Sequence, residues 1–172
     1  MSKEKLYIFD TTLRDGAQTQ GVDFSIDDKL KITEALDSLG VDYIEGGWPG
    51  ANPTDTEFFQ KKINCDNSIL TAFGMTKKTG RSADNDPGLS ALLNSNTKAI
   101  CIVGKSWDFH VDVALGISNE ENLENISEST KLFVKEKKEF MFDAEHFLTD
   151  IKQIPNTHYH DSRLLMTMVL DG

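Results

Sequence analysis

LYIFDTTLRDGAQTQG, residues 6–21, runs an apolar tetrad straight into a cluster of groups suited to binding a metal and an anion. Leu6-Tyr7-Ile8-Phe9 is short and apolar enough for a buried strand, and Asp10-Thr11-Thr12 places a carboxylate and two hydroxyls where it stops. Arg14, Asp15, Gly16 and Gln18 follow. A guanidinium offers two-point binding to a carboxylate, and an aspartate is a hard oxygen ligand for a divalent cation. Gly16 permits a turn or a close approach of backbone to ligand. Taken alone, the Arg-Asp pair also fits a surface turn carrying a weak ion pair.

The surrounding chain sets bounds on that choice. At 172 residues it reads as one domain, and 38% hydrophobic with 27% charged residues is enough for a packed core. A net charge of −10 and a pI near 4.8 argue against a nucleic-acid partner or an anionic membrane surface. An anionic substrate therefore has to be held by local positive groups, such as Arg14, or by a metal. The first strand comes too soon for a signal peptide, and no apolar run approaches the ~18 residues a membrane helix needs, so a cytoplasmic protein is expected. Cys65 and Cys101 have no CxxC spacing and suit a reducing compartment, with Cys101 read as a small buried apolar residue.

Outward from the opening stretch, helix and strand signals alternate. Ser25-x-x-Asp28 resembles a capping box, Ile32, Ala35, Leu36 and Leu39 recur at helical spacing, and Gly40 stops the helix. Val41–Gly47 reads as strand two, with Glu45 at its end either supporting a site or pairing with a buried lysine or arginine. Thr54-x-x-Glu57 opens a second helix through Phe58, Phe59 and Ile63, and Ser68–Gly74 is strand three. KKTGRSADND, 77–86, is a polar loop whose Lys77, Lys78 and Arg81 either meet phosphates or are simply solvated. Asp86-Pro87 starts a third helix, Lys98–Val103 is strand four, and 104–111 is a loop. Ser118-x-x-Glu121 caps a fourth helix with Leu123, Ile126, Thr130, Phe133 and Val134 on one face; Glu139–Asp143 is strand five.

Five strand-helix alternations with polar residues at each strand's C-terminal end predict an α/β fold, the first five units of a (β/α)8 TIM barrel with parallel strands. An open doubly wound sheet shares the pattern, but no GxGxxG follows the first strand. The whole of residues 1–172 is taken as one N-terminal portion of a barrel catalytic domain.

Leu13-Arg14-Asp15-Gly16-x-Gln18, followed after ten residues by Lys29, resembles the N-terminal signature of the acyl-CoA-dependent Claisen condensing enzymes. That family holds the 2-isopropylmalate, homocitrate and citramalate synthases, within the metal-dependent barrel group that includes hydroxymethylglutaryl-CoA lyase. YIEGGWPGANPTD at 43–55, FGMTKKTGRSADNDPGL at 73–89, IVGKSWDFHV at 102–111 and FDAEHF at 142–147 extend the resemblance over about residues 5–150, towards the citramalate branch. It implies that Arg14 binds the 2-oxo acid and polarises its ketone, that Asp15 is a metal ligand, that Glu145 belongs to the catalytic set, and that His110 lines the oxo-acid pocket. Gln18 is the motif glutamine, placed with the substrate. The implied cofactor is a divalent ion (Mg²⁺, Mn²⁺ or Zn²⁺), the substrates are acetyl-CoA and a 2-oxo acid, pyruvate or 2-oxoisovalerate, and the full-length form is a homodimer.

The chain also departs from the family. A complete barrel takes about 250 residues, and the family's HxH metal pair on strand seven and threonine on strand six are not matched. His158-Tyr159-His160-Asp161 begins like that pair, but Gln153–Thr157 before it reads as a turn, and Leu164, Leu165, Met168 and Val169 after it as a fifth helix, so a solvated helix start is the expectation. On this reading the 172-residue chain alone is inactive, and a non-catalytic fragment associating through open strand edges is the contrasting possibility.

Overall fold

Ser25 shows how directly local chemistry places the elements. In the computed structural model, which describes residues 5–147, its hydroxyl accepts the Asp28 amide at 3.2 Å while the Asp28 carboxylate accepts the Ser25 amide at 3.0 Å. This reciprocal cap opens α1 (Ile26–Leu39), which Gly40 closes in the left-handed conformation at φ 82°. Asn52 caps α2 (Pro53–Gln60), its side chain accepting from the Asp55 amide. Asp86 does the same for α3 (Pro87–Leu93), accepting from Gly88 and Leu89 at 2.9 and 3.1 Å. A second reciprocal cap, Ser118 with Glu121, starts the long helix α5 (Asn119–Lys135). The sequence reading is corrected at α2: the cap is Asn52 and not Thr54, and the helix stops at Gln60, short of Ile63. It is corrected again after strand four, where the expected loop contains a turn of helix, α4 (Asp108–His110), and a wide turn over Val111–Leu115 that ends at Gly116.

Between these helices lie β1 (Phe9–Asp10), β2 (Tyr43–Glu45), β3 (Ile69–Met75), β4 (Ala99–Lys105) and β5 (Glu139–Glu145). They form one sheet in the order β1-β2-β3-β4-β5. β1 and β2 pair in parallel with Phe9 opposite Tyr43, and β2 and β3 with Ile44 opposite Leu70. Sequential order, parallel pairing and a helical crossover between neighbours are the first five units of a (β/α)8 barrel.

The opening strand is shorter than expected. Leu6, Tyr7 and Ile8 are 85%, 55% and 55% exposed, and the ladder begins only at Phe9. The reason lies in the hydrogen bonds of Ile8: its amide donates to the Asp42 side chain at 2.9 Å, and its carbonyl accepts from both Asp42 and Tyr43. A side chain thus occupies the place of the next ladder partner, and among the described residues β1 has a neighbour on one side only.

The described chain divides into two compact units, residues up to 73 with 91–100, and 74–90 with the residues from 101 on. In the first, Leu13, Ile44, Phe58, Ala72 and Ile100 are buried, and Gly46 lets α2 approach: a Cβ there would stand 2.8 Å from the Phe58 ring. In the second, Cys101, Ile102, Ile126 and Phe133 are buried, and a Cβ on Gly104 would meet the Phe142 ring at 2.6 Å. The buried face of α5 differs from expectation. Val134 is exposed, whereas Asn122, Asn125 and Ser129 are buried beside Ile126, Thr130 and Phe133. Their donors are satisfied: Asn122 donates to the Lys105 carbonyl, Asn125 to the Thr79 hydroxyl, and Ser129 to the Asn125 carbonyl while accepting from the Lys77 amide, whereas Asn122 Oδ1 is buried without a hydrogen-bond partner among the described residues. His158, His160 and the expected fifth helix lie outside the described residues.

Candidate active site

In the first unit, β1 ends in a turn wound tightly on one carbonyl. The amides of Arg14, Asp15 and Gly16 all donate to Thr11 O, at 3.1, 2.9 and 3.1 Å. Leu13 is fully buried and pins the turn to the core, so Arg14 cannot swing freely into solvent. Its Nε donates to Glu45 Oε2 at 2.6 Å, its Nη1 to Asp15 Oδ1 at 3.1 Å, and the guanidinium lies over the Phe73 ring at 4.0 Å. Arg14 is 16% and Glu45 1% exposed at the side chain. Arg14 is thus no solvated surface residue, although Asp15 is exposed on the turn, and Glu45 is the buried partner of an arginine that is itself a candidate site residue. One edge of the guanidinium is spent on Glu45, which fixes the direction of the rest.

Lys29 builds the facing wall. It is 2% exposed, donates to Gly46 O at 2.9 Å, and pairs with the Asp55 carboxylate. The other Asp55 oxygen accepts the Trp48 amide at 2.8 Å and the Asn52 side-chain amide at 3.0 Å. Asp55 thereby clamps the Gly46–Asn52 loop, and Gly47 (φ 139°) must lack a side chain because a Cβ would fall 2.6 Å from that carboxylate. Arg14, Gln18, Lys29, Trp48, Asn52 and Thr54 line a cleft of about 350 Å³. Gln18 is exposed at its mouth. Asp15 is 65% exposed at the side chain, a hard oxygen donor held in place by Arg14. Its chemistry fits a divalent cation, to which it would supply one oxygen ligand. Among the described residues no three His, Cys, Asp or Glu side chains converge as a metal site.

In the second unit the ends of β4 and β5 bring Lys105 and Glu145 together as an ion pair, and the Ser106 hydroxyl donates to the Glu145 carbonyl at 2.6 Å. The Lys105 ammonium holds the Glu145 carboxyl below the usual glutamate range, with smaller contributions from His146 and His110. His110 stands beside Trp107 (ring centroids 4.6 Å) and edge-to-face with His146 (4.6 Å, 87°). Its Nδ1 is buried without a hydrogen-bond partner among the described residues. Lys77 is buried by its bonds to the Arg81 carbonyl and Glu128, so of the three loop cations it is committed internally. Arg14, Asp15 and Gln18 thus assemble in one unit and His110 with Glu145 in the other. Sequence reasoning did not single out Asp55, Lys105 or His146. Asp55 was signalled by its place in the first turn after Asn52-Pro53, Lys105 by its place at a strand's C-terminal end, and His146 by adjacency to Glu145.

The HMGL-like family model matches residues 5–159. The chain belongs to the HMGL-like family. Within that family it is 49% identical over 154 residues to the (R)-citramalate synthase of Aquifex aeolicus, covering 88% of this chain and 29% of that protein. It is 34% identical over 146 residues to a 2-isopropylmalate synthase of Caldanaerobacter subterraneus, covering 84% and 36%. The fold matches an HMG-CoA lyase of Bacillus subtilis at TM-score 0.74 and 15% identity, over 98% of this chain and 55% of that one. The HMGL-like chain spans 28–30% of the length of the (R)-citramalate synthases it matches. No helix among its described residues is long and apolar enough to cross a membrane.

Proposed function

We propose that the protein carrying this chain is a citramalate synthase, an acyltransferase that condenses acetyl-CoA with pyruvate. The observation that carries this reading is a gap in identity. Five (R)-citramalate synthases from five organisms match at 40–49%, whereas 2-isopropylmalate synthases match at 33–34%. The geometry of the first unit supports it, since Arg14 presents a fixed guanidinium to a small cleft that also holds Gln18.

In this reading Arg14 binds the 2-oxo acid and stabilises the negative charge that develops on its ketone oxygen. Because Nε is already bound to Glu45, the substrate is met by the remaining donors in a set orientation. Asp15 is the ligand this segment offers a divalent ion, which when bound acts as a Lewis acid on the ketone. Glu145 is ionised and oriented by Lys105, which suits a base or a group that positions one; the same ammonium weakens its pull on a proton. His110, whose Nδ1 is buried without a hydrogen-bond partner among the described residues, is the group this reading places against the oxo acid. A homodimeric, cytoplasmic enzyme built on a barrel domain of which this chain is the N-terminal portion belongs to the same proposal.

The test is thiol release from acetyl-CoA with pyruvate and Mg²⁺ or Mn²⁺. A chimera in which this chain replaces the matching segment of the Aquifex aeolicus enzyme should release CoA in step with pyruvate consumption, and the 172-residue chain alone should not. A chimera that folds but releases no thiol would contradict the assignment, and turnover by the chain alone would contradict its dependence on the remainder.

A further inference from the structure

Glu145 has two oxygens, and they face different basic side chains. Lys105, from the end of β4, holds Oε2. Oε1 stands 4.0 Å from Nε2 of His146, the residue immediately after β5. That histidine has φ 63°, a left-handed backbone that carries a modest cost for a residue with a Cβ. The conformation turns the imidazole back onto the strand end it follows. There it meets the edge or face of His110, from α4, at 4.6 Å and 87°, with Trp107 5.9 Å away. The imidazole is thus fixed from two sides, 44% exposed, with a carboxylate on its third.

We propose that His146 is a positioning residue for Glu145: its imidazole stands at Oε1 while Lys105 holds Oε2, so the carboxylate is set between two basic side chains. Among the described residues, the basic groups facing Glu145 are Lys105 from β4, His110 from α4 and His146 itself. The depressed titration of Glu145, caused chiefly by Lys105 and further by His146 and His110, agrees with this arrangement. In its catalytic consequence the inference rests on the proposed function.

The direct test is the carboxyl titration of Glu145 by ¹³C NMR in the 172-residue chain, assigned with Glu145→Gln. His146→Asn is the informative variant, because asparagine tolerates a positive φ while removing the cation. The Glu145 midpoint should rise by at least about half a pH unit in His146→Asn and fall back in His146→Arg, while Lys105→Met raises it further. An unchanged midpoint in His146→Asn, with amide spectra intact, would overturn the proposal. In the active chimera the same variant should lower kcat with little change in KM for pyruvate, and His146→Arg should restore it; an unchanged kcat in His146→Asn also counts against the proposal. A chimera without any turnover would instead remove the functional reading, and the Glu145 titration would still decide the role of His146.

Discussion

Arg14 is fixed by three different forces, a buried carboxylate, a neighbouring exposed one and an aromatic face. Its function depends on that planar fork. In the chimera, Arg14→Lys keeps the charge but loses the paired geometry, and kcat/KM for pyruvate should fall by about 100-fold or more; near-normal kinetics would remove Arg14 from the site. Glu45→Ala leaves the guanidinium buried without its partner, a loss of about 3–5 kcal/mol on the usual cost of breaking such a pair, read as a lowered denaturation midpoint. Gly47→Ala forces a methyl against the Asp55 carboxylate at a backbone angle that disfavours it. It should cost about 1–3 kcal/mol and loosen the Gly46–Asn52 loop, visible as faster amide exchange at Trp48.

At the scale of elements, one tie joins the end of α1 to the start of β3. The Asp37 carboxylate accepts the amides of Asp66, Asn67 and Ser68 at 3.0, 2.9 and 2.7 Å. Those bonds, the one from Asp66 first, lower the Asp37 pKa below the usual aspartate value. A carboxylate with a depressed folded-state pKa contributes stability above its unfolded pKa and loses it as pH falls through the folded one. The thermal midpoint of the chain should therefore drop more steeply below about pH 4 than that of Asp37→Asn, as followed by circular dichroism. Ser118→Ala removes one side of a reciprocal cap and should cost about 1 kcal/mol. The starts of α1, α3 and α5 were legible in sequence because Ser25, Asp86 and Ser118 act on amides two or three residues away. Strand order was legible for a similar reason, since polar residues mark each strand end. The exposure of Leu6–Ile8 was not, nor the burial of Asn122, Asn125 and Ser129, because both depend on partners distant in sequence. The Arg14–Glu45 pair spans 31 residues, and the sequence did not name that partner for Glu45.

For the molecule as a whole, fold and family rest on different observations. The parallel order β1 to β5 and a TM-score of 0.74 to an HMG-CoA lyase establish the barrel architecture, while at 15% identity that likeness says nothing of substrate. Substrate preference is argued from relatives that extend well past this chain, which covers 28–30% of their length. The motif residues were legible because the RDG turn and the FDAEH strand end are contiguous stretches; how Lys105 and His146 surround Glu145 required β4, α4 and β5 in place. On the proposed function this segment belongs to an enzyme that selects pyruvate. A competition assay offers the chimera equal pyruvate and 2-oxoisovalerate with acetyl-CoA and Mg²⁺ or Mn²⁺, and separates the products by mass. Citramalate is the expected dominant product; 2-isopropylmalate in excess would overturn the assignment.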